Sequence, residues 1–541
     1  MRPVAISPLL LLIAVTVGAP IGCTPLPRVG VKASPGVVAG QPPLTFTILH
    51  TNDVHGDIRE FIVDTGDATS QTGDPGRSMQ QYARRGVIGG FARLATAVAQ
   101  IRTARGEGNV LLVDAGDTFG DQLLANLTRG EATIRLMNAL GYDFMALGNH
   151  DYEYGTENTR RLQALATFPM RAANATVRAT GAPFLGDPTR VITVGGVRVG
   201  LLALTYHNTS QTGNRENTRD LQFESGIEAV RRSLPALRAR ADVVVVVSHQ
   251  GTAVDSVLAA TVPGIDIIVG GHSHDRIEPP RRVSSAWIVQ ALSDASALGD
   301  VVVTVDRGHV ASVAGVVHEL YATDYAADGH IARMIDSMRA PYRDTLNAVI
   351  AAAADRIGRQ YKSESPVDAL AAELLRDFGR AEVAFLPGLG FGVTVQPGPI
   401  TREMVVGLFP HPTSVVHETL TGRQILSVLE QSATNLRPAD DLDRVGGLVQ
   451  TAGMRWTIDL RQPSGRRISA VTIGGAPLDS ARDYRVMTNG GLLQGTHRYA
   501  AFAEGTDIRR DATSFGAMLE AGLRARGTVR APPLGAVTLI R

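Results

Sequence analysis

The sequence predicts an α/β protein organised on a largely parallel sheet, with a second large domain behind it. Three observations carry this expectation. Between residues 44 and 270, β-rich runs alternate with stretches of helical apolar spacing, the pattern of right-handed βαβ crossovers. One run, Asp242-Val243-Val244-Val245-Val246-Val247, is so uniformly β-branched that it reads as a strand covered on both faces. The chain's 541 residues exceed what one ordinary core organises, so two large domains are expected.

In chain order, Arg2 comes first, then an apolar stretch from Leu9 to Val17, then Gly18-Ala19-Pro20-Ile21-Gly22 leading to Cys23. This is the layout of an export signal, and its apolar part is too short to span a bilayer as a stable helix. Cys23 is the only cysteine, which excludes an intramolecular disulfide and a thiolate zinc cluster. Its position resembles the lipobox of bacterial lipoproteins, with Gly22 in the small position. Pro20 stands where that pattern carries Leu, so ordinary cleavage after Ala19 is the alternative. The expectation is a signal peptide over 1–22, lipidation at Cys23, and export to the periplasm or cell surface on that lipid anchor. Residues 23–43, rich in Pro and Gly, read as a flexible tether.

Folded sequence begins with the β-rich run Leu44 to Leu49, followed at once by Asp53 and His55. Residues 64–85 are polar and aperiodic and read as an exposed insertion. Helical spacing returns from Gly89 to Ile101. A second strand, Val110 to Val113, ends in Asp114-Ala115-Gly116-Asp117. A helix over about 132–140 leads to Phe144-Met145-Ala146-Leu147, which turns at Gly148 into Asn149-His150-Asp151-Tyr152-Glu153. Val197 to Thr205 is a further strand. The valine run ends in Ser248-His249, and Ile265 to Val269 ends in Gly270-Gly271-His272-Ser273-His274. In parallel sheets functional groups gather beyond the carboxyl ends of the strands. Five strand ends therefore bring Asp53, His55, Asp117, Asn149, His150, His249, His272 and His274 to one edge.

Carboxylates, an amide and imidazoles without thiols suit Zn, Mn, Fe or Co better than Ca or thiophilic metals. The candidate ligands outnumber what one ion uses, and two ions sharing a carboxylate account for them. Paired metals ~3.5–4 Å apart clamp the attacking and leaving oxygens of an in-line displacement and turn a bridging water into a hydroxide. One further His is then available to stabilise charge or protonate a leaving oxygen. The reaction class is metal-assisted hydrolysis, most naturally at phosphorus. His207, His309, His330 and His497 stand outside these blocks and are not assigned to the metal site. The net charge of +1 gives no electrostatic case for nucleic acid or an anionic membrane surface as partner.

The blocks Asp53-x-His55, Gly116-Asp117, Gly148-Asn149-His150-Asp151, His249 and Gly271-His272-Ser273-His274 resemble those of calcineurin-like metallophosphoesterases. More narrowly, His50-Thr51-Asn52-Asp53-x-His55-Gly56, Gly89 to Leu94 and Phe168-Pro169-x-x-Ala172-x-Asn174 resemble the 5'-nucleotidase and UDP-sugar hydrolase family. The resemblance implies a four-layer α/β/β/α metallophosphoesterase domain over 44–325, a helical linker over 326–362, and an α+β substrate domain over 363–541. It implies one metal on Asp53, His55 and His274, the other on Asn149, His249 and His272, and Asp117 bridging them. His150 would face the transferring phosphoryl group, oriented by Glu153 where the family carries Asp. The linker, with Ile331, Met334, Ile335, Met338, Leu346 and Ile350 at helical spacing, would permit domain rotation.

The family's nucleotide-reading positions are altered. Pro387-Gly388-Leu389-Gly390-Phe391-Gly392 stands where relatives have Asn-Gly-Gly-Gly-Ile-Arg, and His411 replaces the Phe of a Pro-Phe-Gly block. Gly491 and Gly495-Thr496-His497-Arg498 align with the second Phe and a Gly-Gly-Asp-Gly block. This implies lost base stacking, at ~1–3 kcal/mol per contact, and lost ribose recognition. His411 and Tyr499 are the weak substrate-binding candidates. The expected activity is dinuclear-metal hydrolysis of extracellular phosphate esters, nucleotide or related. The alternatives are a thiosulfohydrolase-like enzyme acting on a carrier-linked group, or a non-catalytic metal-binding surface lipoprotein.

Overall fold

The computed structural model describes residues 42–65, 82–390 and 392–541. The signal segment, Cys23, most of the tether and most of the 64–85 insertion lie outside these residues.

The expected strands form, but in two sheets of six strands each. The first sheet runs His309–Glu319, Ala297–Asp306, Leu44–Thr51, Val110–Asp114, Phe144–Ala146, Met170–Arg171. Leu44–Thr51 pairs in parallel with Val110–Asp114, which pairs in parallel with Phe144–Ala146, while the Ala297–Asp306 side is antiparallel. The second sheet centres on Val197–Leu204, Val243–Ser248, Ile267–Gly270 and Ala286–Ala291, all parallel, with antiparallel strands at both edges.

Apolar faces of the two sheets meet in one core, where Ile48, Leu111 and Val113 pack with Val199, Leu201, Val245 and Val247. The valine run is buried on both faces because its other side lies under the helices Gly226–Arg238 and Thr252–Thr261. Phe91–Arg105 and Glu131–Leu140 cover the first sheet through Leu94, Val98, Ile134 and Met137. Two inner sheets between two helical layers make the four-layer α/β/β/α arrangement. With helices on only one side of each sheet, either sheet alone would leave its other face uncovered, and the partner sheet removes that exposure.

The linker departs from the expectation of long helices. Gly329–Arg339 is helical and packs Ile331 and Ile335 onto the first core. A short helical stretch continues to Leu346 and stops. Ile350 lies in a strand, Val349–Ala353, paired with Gly398–Thr401 and Thr528–Val529. Its apolar run is short, and spacing alone does not separate a brief strand from a helix.

Beyond it, the strands Val383–Leu386, Ser414–Thr421 and Asp483–Asn489 form the middle of a five-stranded mixed sheet. The helix Gly422–Leu436 packs into a core of Phe385, Val428, Leu429, Trp456 and Phe502. Pro366–Gly379 and Phe515–Arg526 pack into the neighbouring one. Loops of this half around 387–390, 410–414 and 489–497 face the strand ends that carry Asp53, Asp117 and Asn149 across one cavity. No helix among the described residues is long and apolar enough to cross a membrane.

Candidate metal centre

The strand-end loops are laced together by their backbones. The amide of Asp53 donates to Gly116 O at 2.8 Å, and that of His55 to Asp117 O at 2.8 Å. Asp151 is the organiser of the opposite side. Its buried carboxylate accepts backbone N–H bonds from Asp117, Thr118, Phe119 and Gly148, at 2.8–3.2 Å. Burial, with the charge of Asp117 added, pushes its pKa up to about 6. Asp53, His55, Asp117, His272 and His274 all hold left-handed backbone, φ between 52° and 74°. Each costs roughly 1 kcal/mol or more in a residue with a Cβ. Strain concentrated this way fixes side-chain directions in advance.

Two groups of ligand-type side chains result. In one, His274 Nε2 lies 3.2 Å from Asp53 Oδ1 and 3.1 Å from His55 Nε2. In the other, Asp117, His249 and His272 bring donor atoms within 4.8 Å of one another. His249 Nε2 sits 2.9 Å from Asp117 Oδ2 and 3.9 Å from Asp53 Oδ1, so the groups adjoin through these carboxylates. Asn149 is buried and lines the same cavity as Asp117 and His272, and among the described residues its Oδ1 has no hydrogen-bond partner.

The outer contacts set the imidazole tautomers. His249 Nδ1 lies 2.7 Å from Ala115 O, and a carbonyl accepts only, so that nitrogen carries a proton. Burial opposes charge on the ring, but Asp117 beside Nε2 raises its pKa to about 9, so a metal ion would bind Nε2 by displacing its proton. His55 Nδ1 lies 2.8 Å from Asp121 Oδ2, which leaves its Nε2 facing His274. Burial, with the charge of His249 added, holds His272 well below the usual histidine pKa, in the neutral form that binds metals. Burial opposes charge on Asp117, yet the surrounding imidazoles of His249, His150 and His55 hold its carboxyl well below the usual range. Converging imidazole nitrogens, an amide oxygen unpartnered among the described residues and ionised carboxylates fit divalent transition metals. All seven expected ligands are within this assembly.

His150 lies at the edge of the cavity, its amide donating to Asp117 Oδ1 at 2.7 Å. Glu153 is within reach, with Oε1 3.5 Å from His150 Nδ1. The nearer carboxylate is one the sequence reading missed: Asp121 Oδ2, at 3.1 Å. Asp121 is 2% exposed, has φ 75°, and also meets His411 Nε2 at 3.0 Å. Burial would raise its pKa, but His150, His411 and His55 around it hold it well below the usual carboxylate value. A second carboxylate four residues after Asp117 was the available signal.

The cavity has a volume of about 350 Å³. Pro387, Gly388, His411, Gly491 and His497, singled out by the sequence comparison, all line it, on the side facing His55, Asp117 and His150. Tyr499 does not: it is 1% exposed in the C-terminal core beside Phe502. The expected loss of aromatic surface is also only partial, because Tyr361, Phe409 and Phe515 line the cavity. His207, left out of the metal site, bonds Gln250 and the carbonyl of Leu442 instead.

The family model for calcineurin-like phosphoesterase matches residues 46–276, and that for the 5'-nucleotidase C-terminal domain matches 347–504. The 5'-nucleotidase of Bos taurus is 35% identical over 237 residues, which are 43% of this chain and 38% of that protein. The chain thus spans little more than a third of the length of the mammalian relatives it matches. The snake venom 5'-nucleotidase of Naja atra is 25% identical over 84% of this chain and 90% of its own. Among solved structures, the sulfate thiohydrolase SoxB of Thermus thermophilus, in complex with glycerol, superposes with TM-score 0.83 at 25% identity. That match covers 91% of this chain and 96% of that one. A 5'-nucleotidase precursor, also of Thermus thermophilus, superposes with TM-score 0.81 at 26% identity, over 92% and 99%.

Proposed function

We propose that this chain, which belongs to the calcineurin-like phosphoesterases carrying a 5'-nucleotidase C-terminal domain, hydrolyses phosphate esters outside the cytoplasm with the help of two divalent metal ions. The observation that carries the reading is the pair of adjoining buried ligand groups lining one cavity. Asp53, His55 and His274 would hold one ion, and Asn149, His249 and His272 the other, with Asp117 between. Residues 44–325 serve as the catalytic half and the chain from 363 on as the substrate half, joined by residues 326–362.

Bound there, two ions supply Lewis acidity and an acidified water for in-line displacement. The protein's own groups do the rest. Asp121 and Glu153 keep His150 turned toward the cavity, where its imidazole donates to a phosphoryl or leaving oxygen. Asp151 holds the loops that carry Asp117 and Asn149 at fixed separation. The substrate is a nucleotide or related phosphomonoester or diester, bound without tight selection among bases. The likeness to a snake venom enzyme and to a precursor protein supports export, with Cys23 as the anchor.

Protein loaded with Mn²⁺ is expected to hydrolyse p-nitrophenyl phosphate or its diester, and a nucleotide panel is expected to show rates within about tenfold across bases. Bound metal without phosphoesterase activity would overturn the reading. A second reading has a specific support, the TM-score of 0.83 with a sulfate thiohydrolase. Under it the same centre hydrolyses a sulfur-linked group on a carrier, and release of sulfate from an S-sulfonated peptide, with no turnover of phosphate esters, would select it.

A further inference from the structure

We propose that His411, supplied by the C-terminal half, is a contact for the tetrahedral oxyanion in the site, and that Asp121 positions it together with His150. The inference rests on the hydrolase reading above and adds a residue to it.

Three imidazoles from separate parts of the chain surround one carboxylate. Asp121 Oδ2 is 2.8 Å from His55 Nδ1 and 3.1 Å from His150 Nδ1, and Oδ1 is 3.0 Å from His411 Nε2. Such a carboxylate fixes ring orientation and tautomer for every histidine it holds. The ring of His411 lies nearly parallel to that of His150, with centroids 5.3 Å apart and an interplanar angle of 15°. Both rings line the cavity, where the His411 side chain keeps 31% of its surface exposed and His150 12%. Glu153 Oε1 adds a further contact to His411 at 3.4 Å.

The segment is also held independently of the ring. Asn126 Nδ2 donates to the carbonyl of Pro410 at 3.1 Å, and Tyr154 Oη donates to Asn126 Oδ1 at 2.7 Å. The loop that carries His150 thus holds residues 410 and 411 through Glu153 and, by way of Asn126, through Tyr154, while Asp121 holds His411 from the loop after Asp117. Both carboxylates meet His411 at Nε2. Burial opposes charge on the ring, but two negative neighbours favour its protonated form, whose Nδ1–H is then the donor left for an anionic oxygen. The oxyanion is phosphoryl under the first reading and sulfonyl under the second.

Three variants of the full chain, loaded with Mn²⁺, test this by titration with inorganic phosphate and, separately, with sulfate. His411→Ala removes the ring, and His411→Phe keeps the ring and its stacking on His150 but not its nitrogens. Both are expected to weaken binding of the anion that wild type prefers by about tenfold, with metal content and melting temperature unchanged. Asp121→Asn is expected to show the same loss and to release metal as well, through His55. Phosphate and sulfate binding at wild-type strength in His411→Phe would reduce the residue to a packing contact and overturn the proposal. Loss of metal from both His411 variants would overturn it too, by making His411 a ligand. If wild type binds neither anion, the hydrolase reading itself fails; if wild type binds and His411→Ala binds equally, only this inference fails.

Discussion

Replacing Gly148 by Ala adds one methyl group, and the structure gives its position. The new Cβ would stand 2.1 Å from Asp117 Oδ1 and 2.3 Å from Asp117 N. Ordinary contact begins near 3.5 Å, so the carboxylate or its backbone must retreat by more than about 1 Å. Neither is free to do so. Asp117 N is bonded to Asp151, Asp117 Oδ1 accepts from the amide of His150, and Oδ2 lies against His249. Overpacking a fixed site costs about 1–3 kcal/mol, and an ångström of misplacement at a reacting centre costs on the order of 10²-fold in rate. Gly148→Ala is therefore expected to lower kcat for p-nitrophenyl phosphate about a hundredfold and to halve bound metal. Gly155→Ala is the control. Its φ of 83° strains any side chain, but among the described residues nothing beyond its chain neighbours lies within 4 Å of the added atom. It should cost about 1 kcal/mol of stability and leave metal content and rate alone. Thermal melts, elemental analysis and initial rates on the pair decide the matter. Full metal and activity within twofold in Gly148→Ala would refute the claim that Asp117 must sit where it does.

Other consequences follow from the same contacts. His150→Ala should reduce kcat by about 10²–10⁴-fold with metal content unchanged, checked by elemental analysis beside rate measurements. Chelation should lower the melting temperature, because ions bound only by the folded chain stabilise it by mass action. Arg359 and Asp368, a buried pair 3.0 Å apart in the C-terminal half, should be strongly coupled: Asp368→Ala strands the guanidinium and costs about 3–5 kcal/mol in denaturant unfolding. Glu418 is 3% exposed, neither carboxyl oxygen has a hydrogen-bond partner among the described residues, and burial pushes its pKa up to about 8. The unfolded chain loses this proton first, near its ordinary pKa, so stability falls as pH rises from about 4.5 to 8, by about 1.4 kcal/mol per unit of separation. Glu418→Gln should flatten that fall and melt higher than wild type at pH 8 but not at pH 4; equal curves would count against a buried neutral carboxyl there.

Much of the site is legible in the sequence because its ligand-type side chains sit two to six residues beyond apolar runs that can only be strands, so order along the chain predicts proximity in space. That logic finds Asp53, His55, Asp117, Asn149, His249, His272 and His274, and it fails wherever the partner is remote. Asp121 lies in a turn between a strand and a helix, and its partners His55 and His411 are 66 and 290 positions away. Its place four residues after Asp117 is the one local signal, and that spacing alone does not separate it from a surface carboxylate. Tyr499 fails in the opposite direction, since alignment beside a binding block does not say which way a ring points, and here the C-terminal core takes it. Ile350 shows the same limit at the level of fold, because its strand exists only through pairing with residues 398–401 and 528–529.

The substitution of Glu for Asp at position 153 joins these cases. Read alone, an added methylene only shifts the reach of one carboxylate toward His150. In the folded chain Asp121 already stands closer to that ring, at 3.1 Å, and Glu153 lies 3.4 Å from His411 and 3.5 Å from His150. The longer side chain therefore spans two histidines, and the shorter carboxylate supports both along with a metal-group histidine. If the pair divides the work this way, Glu153→Gln should cost far less activity than Asp121→Asn, and Glu153→Asp should not improve on wild type. A larger loss at 153 than at 121 would return the orienting role to Glu153 and leave Asp121 as a support for His55 alone.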